Sequence, residues 1–179
     1  MRRVAVFILI ILSASNLNAQ SNERIINDMF FDLFGRKDTI FIVSEIRKPT
    51  FDYDSKTIED KTGLKIPDNI ILEWRKNKNS DDSTLQWSEF KLNNSYFKNY
   101  TFVGDKPYIK CIKSNQIDAL QKQKRPVVYA ISKIVFDDKK ENAIFRHTAN
   151  GQVLIEESIL IKKIFGKWVI ISRFDWKIE

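Results

Sequence analysis

From Val127 to its end the chain consists of four strand-like runs whose separations are too short to hold any other element. The runs are "VVYAISKIVF", "NAIFRHTA", "QVLIEESILIKK" and "KWVIISRFDWKI", and between them stand "DDKKE", "NG" and "FG". Strands joined so closely pair as hairpins, so this half is expected to form an antiparallel meander. In the last hairpin, a two-residue loop would place Phe165 at positive φ, which a bulky side chain resists. A three-residue loop, with only Gly166 in that region, is therefore expected. That register sets Lys163 against Lys167, Ile161 against Val169, Ile159 against Ile171 and Glu157 against Arg173. On the other face it sets Leu160 against Ile170, Lys162 against Trp168 and Leu154 against Trp176. Trp168, Ile170, Phe174 and Trp176 then fall on alternate residues and are read as core lining. Arg173, Asp175 and Glu157 point the other way. Both faces are apolar in the middle, so the sheet needs cover on both sides or must curl over itself.

The upstream half offers that cover. In "SNERIINDMFFDLFGRKD", apolar residues Ile25, Ile26, Met29, Phe30, Leu33 and Phe34 recur at helical spacing, with Ser21 or Asn22 as cap and Gly35 as stop. "TIFIVSEI", Thr39 to Ile46, predicts a strand. Arg47 to Lys65 is polar and is expected to be irregular, with a short strand near Phe51 and Tyr53. "IPDNIILEWRKNKN" predicts a helix or a helix-strand hybrid that opens at Pro67 and Asp68. "TLQWSEFKL", "YTFVG" and "PYIKCI" read as strands, the last two joined by the turn "GDKP". Ser114 offers a cap for a short helix over Asn115 to Gln123, which Pro126 ends. No repeat or low-complexity linker interrupts the chain. The expected fold class is α+β: an antiparallel β-meander, built from the C-terminal four strands plus earlier ones, with an N-terminal amphipathic helix packed on it.

The first nineteen residues read differently. Met1, Arg2 and Arg3 are followed by the apolar run Val4 to Leu12 and the small, polar stretch Ser13 to Ala19, the three regions of a secretory signal. That run is too short for a bilayer span, which takes about 20 residues. Cleavage is expected after Ala19, although Ser15 offers an earlier cut, and leaves one globular domain over 20–179 that is secreted or periplasmic. No cysteine near the cut supports a lipid anchor, and no contact with a membrane is expected after cleavage. Cys111 is the only cysteine, so no internal disulfide forms and stability rests on packing. The chain carries +7, lowered by two when the leader leaves. Its lysines are strewn among acids in "EDKTGLK" and "DDKKEN" and outnumber arginine 21 to 9. A solvated surface explains that pattern better than nucleic-acid binding, which favours dense, arginine-rich stripes.

Ser132-Lys133-Ile134-Val135-Phe136, Ala143, Gly151, Leu160, Lys162-Lys163, Gly166-Lys167-Trp168 and Trp176 together form a pattern. It resembles the closing half of small exported bacterial proteins of uncharacterised function. More distantly it is similar to the final strands of NTF2-like domains, and that resemblance implies a cone-shaped sheet holding a pocket. It extends from Ser132 to Trp176 and carries over no functional residue. The strands expected at Thr39 to Ile46 and Thr84 to Ile112 depart from the NTF2-like pattern.

Little catalytic chemistry is written in the chain. "DYDSKTIEDKTG" has Lys56 where a calcium loop needs a third ligand and no acid at its twelfth place. His147 is the only histidine, so no histidine-pair metal site exists, and a dyad with Cys111 sits in no motif. No glycine-rich phosphate loop or nucleophile elbow occurs. No catalytic residue, metal or cofactor is expected. The candidate ligand-binding residues are His147, Glu157, Arg173 and Asp175, a set suited to holding or moving a proton if a pocket gathers it. The expected function is an exported, non-catalytic binding or interaction module for a protein or small molecule. The alternative is an NTF2-like small-molecule binder or enzyme with a pocket on the concave face of the sheet.

Overall fold

The computed structural model describes residues 24–35, 39–48, 53–79, 87, 90–91, 108–124 and 126–179. The leader, the strand expected near Phe51, most of "TLQWSEFKL", and "YTFVG" with its turn lie outside the described residues. Among the described residues, eight strands form one sheet: β1 (Thr39–Val43), β2 (Phe90–Lys91), β3 (Tyr108–Ile112), β4 (Val128–Ile131), β5 (Val135–Phe136), β6 (Asn142–Asn150), β7 (Leu154–Ile164) and β8 (Lys167–Ile178). Their order is β2-β3-β1-β4-β6-β7-β8, with β5 beside the start of β6.

The α+β class holds, but the sheet is mixed. The strands β4, β6, β7 and β8 pair antiparallel with one another in that order, and β2 is antiparallel to β3, whereas β1 runs parallel to both β3 and β4. The connection after β3 accounts for the parallel alignment of β3 and β4. Parallel strands need a crossover, and α4 (Ile117–Lys124) supplies one, carrying the chain over β1 and back to the same end before β4 begins. The run "VVYAISKIVF" is also broken, into β4 and β5. Ser132 sits at the break and exchanges hydrogen bonds with Arg146 of β6: its backbone N donates to the Arg146 carbonyl at 2.9 Å and its Oγ accepts from the Arg146 backbone N at 2.8 Å.

Alternation along the strands divides the core between two faces. The front face presents Ile40, Ile42, Ile109, Tyr129, Ile131, Phe145, Ile159 and Ile161. A helical segment over residues 24–28 continues into α1 (Phe30–Phe34) and buries Ile25, Ile26, Met29, Leu33 and Phe34 against it. Each such side chain contributes about 1.5–3 kcal/mol. Its next stripe, at spacings of four, is polar and docks on β8. Arg24 donates to the Gly166 carbonyl at 2.9 Å, Asp28 accepts from Trp168 N at 3.0 Å, and the Asp32 carbonyl accepts from Arg173.

The back face has two covers. Over Val135, Ile144, Leu160 and Phe174 lie α2 (Ser55–Thr62) and α3 (Asp68–Asn79), which contribute Ile58, Ile70 and Trp74. Over Val43, Ile112, Val128 and Ala130 lie Ile117 and Leu120 of α4. The helix α2 replaces the irregular segment expected there. Asp54 caps it by accepting from Thr57 N at 2.6 Å, and Gly63 closes it at φ +70 with its N–H on the Glu59 carbonyl. Tyr53 precedes this helix, buried, outside any strand.

The last hairpin corrects the expected register. Phe165 and Gly166 form a two-residue turn with φ of +48 and +80, so Ile164 pairs with Lys167, Lys163 with Trp168 and Ile161 with Ile170. Such a turn matches the twist of the strands, and that match outweighs the local strain of Phe165 at positive φ. Two irregularities then change the parity of β8. Ile171 is an extra residue between the pairs Ile161–Ile170 and Leu160–Ser172, which sends Phe174 to the back face while Trp168 stays on the front. Asp175 and Trp176 together stand against Glu157, with Asp175 at φ +58, and Trp176 is left 57 % exposed. Trp168 therefore lines the core as expected, and Trp176 does not.

Candidate functional site

Two polar clusters lie back to back on β6, β7 and β8. On the front face, His147 and Glu157 are directly paired across β6 and β7, each almost wholly buried. His147 Nδ1 lies 3.0 Å from Glu157 Oε1, and Arg173 Nη1 donates to the same oxygen at 2.5 Å. The imidazole stacks on Tyr129 at 5.4 Å and meets the edge of Phe34 at 6.1 Å. The outer atoms, His147 Nε2 and Glu157 Oε2, are buried and have no hydrogen-bond partner among the described residues. Burial pushes the Glu157 carboxyl up, but the hydrogen bonds from His147 and Arg173 and their charges outweigh it and hold the group below the usual carboxylate range. Because Arg173 also donates to the Asp32 carbonyl, the cluster ties the N-terminal helix to the sheet.

On the back face stands Arg146, its side chain 7 % exposed. Its Nη2 donates to Glu156 Oε2 at 2.8 Å, and Nη1 lies 3.4 Å from Ser158 Oγ and 3.5 Å from Asp175 Oδ2. Asp175 also accepts from Lys61 at 3.0 Å and from the Tyr53 hydroxyl, which bonds Ser158 at 3.0 Å as well. Burial raises the Asp175 carboxyl, yet hydrogen bonds from Tyr53 and Lys61 and the nearby cations win and depress it. Burial, then the bond to that carboxylate, pushes the Tyr53 phenol up.

Of the four residues predicted from sequence, His147, Glu157 and Arg173 come together. Asp175 is on the opposite face, because the irregular pairing in β8 turns it toward Tyr53 and Arg146. Sequence reasoning missed Arg146, although a signal was present: it neighbours His147 on a strand, so it must point to the other, equally covered face. Cys111 and His147 are separated by β1 and β4, about three strand spacings or roughly 14 Å, so they form no dyad.

The two back-face covers leave a seam between them. It is a cleft of about 40 Å³ lined by Arg47, Lys48, Ala130, Ser132, Arg146, Thr148 and Glu156. Arg47 follows β1 and pairs with Ser132 in a parallel bridge, with its carbonyl accepting from Lys133 N at 3.0 Å. A wider groove of about 650 Å³ lies beside α4, where Asp118, Gln121 and Lys122 face Pro126, Gly151 and Gln152. His147 lines neither. Among the described residues no cluster of three His, Cys, Asp or Glu is arranged to hold a metal ion, and no helix is long and apolar enough to cross a membrane. No family model matches the chain, nor does any curated protein or solved structure.

Proposed function

We propose that the mature domain, residues 20–179, is an exported, non-catalytic binding module, secreted or periplasmic. It takes one oxyanion group, a carboxylate or phosphate borne by a small molecule or a protein, into the back-face seam. The observation that carries the reading is the charge balance there. Three cations, Arg47, Lys48 and the deeply set Arg146, line the seam against one lining acid, Glu156, while Asp175 meets Arg146 from beside it at 3.5 Å. A guanidinium held in place by its neighbours loses little freedom on binding and favours planar oxyanions. The cleft has room for a single such group and not for a nucleic-acid base. The Ser132 hydroxyl in it is tied to the Arg146 backbone N and to the Lys133 carbonyl, 3.2 Å away.

The runner-up, an NTF2-like binder or enzyme with its pocket on the front face, draws on the unpartnered His147 Nε2 and Glu157 Oε2. It requires Phe34 and Tyr129 to leave the imidazole they now pack against.

Calorimetric titration with phosphate, sulfate and acetate separates the two readings. The wild type binds at least one of these anions. The double variant Arg47→Ala, Lys48→Ala loses tenfold or more in affinity, and His147→Ala, though less stable, keeps it. Anion binding that survives the double variant but vanishes with His147→Ala would reverse the assignment, and no binding at all would end it.

A further inference from the structure

The tip of the β7–β8 hairpin carries a residue that neither packing nor backbone geometry asks for. Phe165 is fully exposed and stands at φ +48, in a turn position that ordinarily goes to Asn, Asp or Gly. Asparagine there would relieve the backbone and leave no apolar ring in water, so the aromatic opposes both local preferences. Its neighbours are consistent with one another. Ile164 is also exposed, as are Lys162, Lys163 and Lys167. Because Asn142 pairs with Lys162, the turn between β5 and β6 comes to the same end of the sheet and adds exposed Lys139 and Lys140. Arg24 reaches it too, through the Gly166 carbonyl. The acids at this end are Asp138, Glu141, Asp137 and Asp28; Asp137 accepts hydrogen bonds from Glu141 N, Asn142 N and the Asn142 amide, and Asp28 accepts one from Trp168 N. From Ser158 to Phe174 the hairpin contains no acid.

We infer that this tip is a contact for an anionic bilayer surface. Phe165 and Ile164 enter the boundary between headgroups and acyl chains, and Lys162, Lys163 and Lys167 lie along the lipid phosphates. An apolar point ringed by flexible cations suits an acidic and deformable surface, where lysine stems lie along the apolar layer and their ammonium groups stay in water. The inference rests on the hairpin alone, so it stands or falls separately from the seam. It departs from the expectation of a mature domain without membrane contact.

Flotation with vesicles tests it, using phosphatidylcholine alone and phosphatidylcholine with about one third phosphatidylglycerol. The protein floats with the anionic vesicles, not the neutral ones, and added salt releases it. Phe165→Asn keeps or raises the melting temperature yet loses flotation, a combination that a purely structural role would not produce. Lys162→Ala and Lys163→Ala each weaken binding by about fivefold. In Phe165→Trp, tryptophan emission shifts to the blue on anionic vesicles only. No flotation of the wild type, equal flotation with neutral vesicles, or undiminished flotation of Phe165→Asn would each overturn the inference.

Discussion

Glu157 receives an imidazole and a guanidinium at one oxygen where almost no water reaches. Removing the negative charge from such a group leaves the guanidinium of Arg173 without its counter-charge where little water reaches, which costs more than the bond itself contributed. Glu157→Gln is therefore expected to lower stability by about 3 kcal/mol. Its effect on pH dependence follows from the depressed carboxyl. A group whose folded pKa lies below its unfolded value stabilises fully above the unfolded value, near 4.5, and loses that contribution as pH falls through the folded one. Denaturant melts from pH 6 to 3 should thus show a shallower acid loss in Glu157→Gln than in the wild type. Equal slopes would mean that Glu157 is not the group held ionised. The joining of Glu157 to Arg173 was legible, since both fall on one parity near the end of the hairpin. The bond itself is diagonal, because Arg173 pairs with Ile159. Asp175 was misplaced for a reason no parity argument carries: it and Trp176 together oppose Glu157, with Asp175 at φ +58, and that second irregularity breaks the alternation between Arg173 and Asp175.

Among the elements, the N-terminal helix and the four closing strands were readable because apolar residues fix their period. The helix α2 was not. It buries one residue of its own, Ile58, and owes its limits to Asp54 and Gly63, so its pattern resembles a solvated loop. Gly63 is the sharper test of that account. A Cβ there meets nothing within 4 Å, so Gly63→Ala carries only the cost of a left-handed backbone, about 1 kcal/mol, and lowers the melting temperature by about 2–4 °C. Gly63→Asn should recover part of the loss. Equal melting temperatures for wild type and Gly63→Ala would show that α2 ends elsewhere. The turn at Phe165 was misjudged by a sound rule: a bulky residue at positive φ strains its own backbone. Here the two-residue turn that matches the strand twist prevails over that strain.

For the whole molecule, local pattern states which residues form strands but not which strands lie side by side. The residues of "TIFIV" and "YIKCI" look alike in an antiparallel or a parallel pair; the crossover through α4 sets β3 parallel to β4, but nothing in the strand residues says that β1 lies parallel between them. That crossover bears on the proposed site. It places one cover at each end of the back face and leaves Arg146 on the floor of the seam between them, while Phe34 of the N-terminal helix lies against His147 on the front face. On the proposed reading the seam admits a ligand and the front face does not. The most direct measurement is a two-dimensional amide NMR titration of the protein with sulfate. Shift changes are expected to centre on Arg47, Lys48, Ser132, Arg146 and Thr148. Changes centred instead on Phe34, Tyr129 and His147 would contradict that reading.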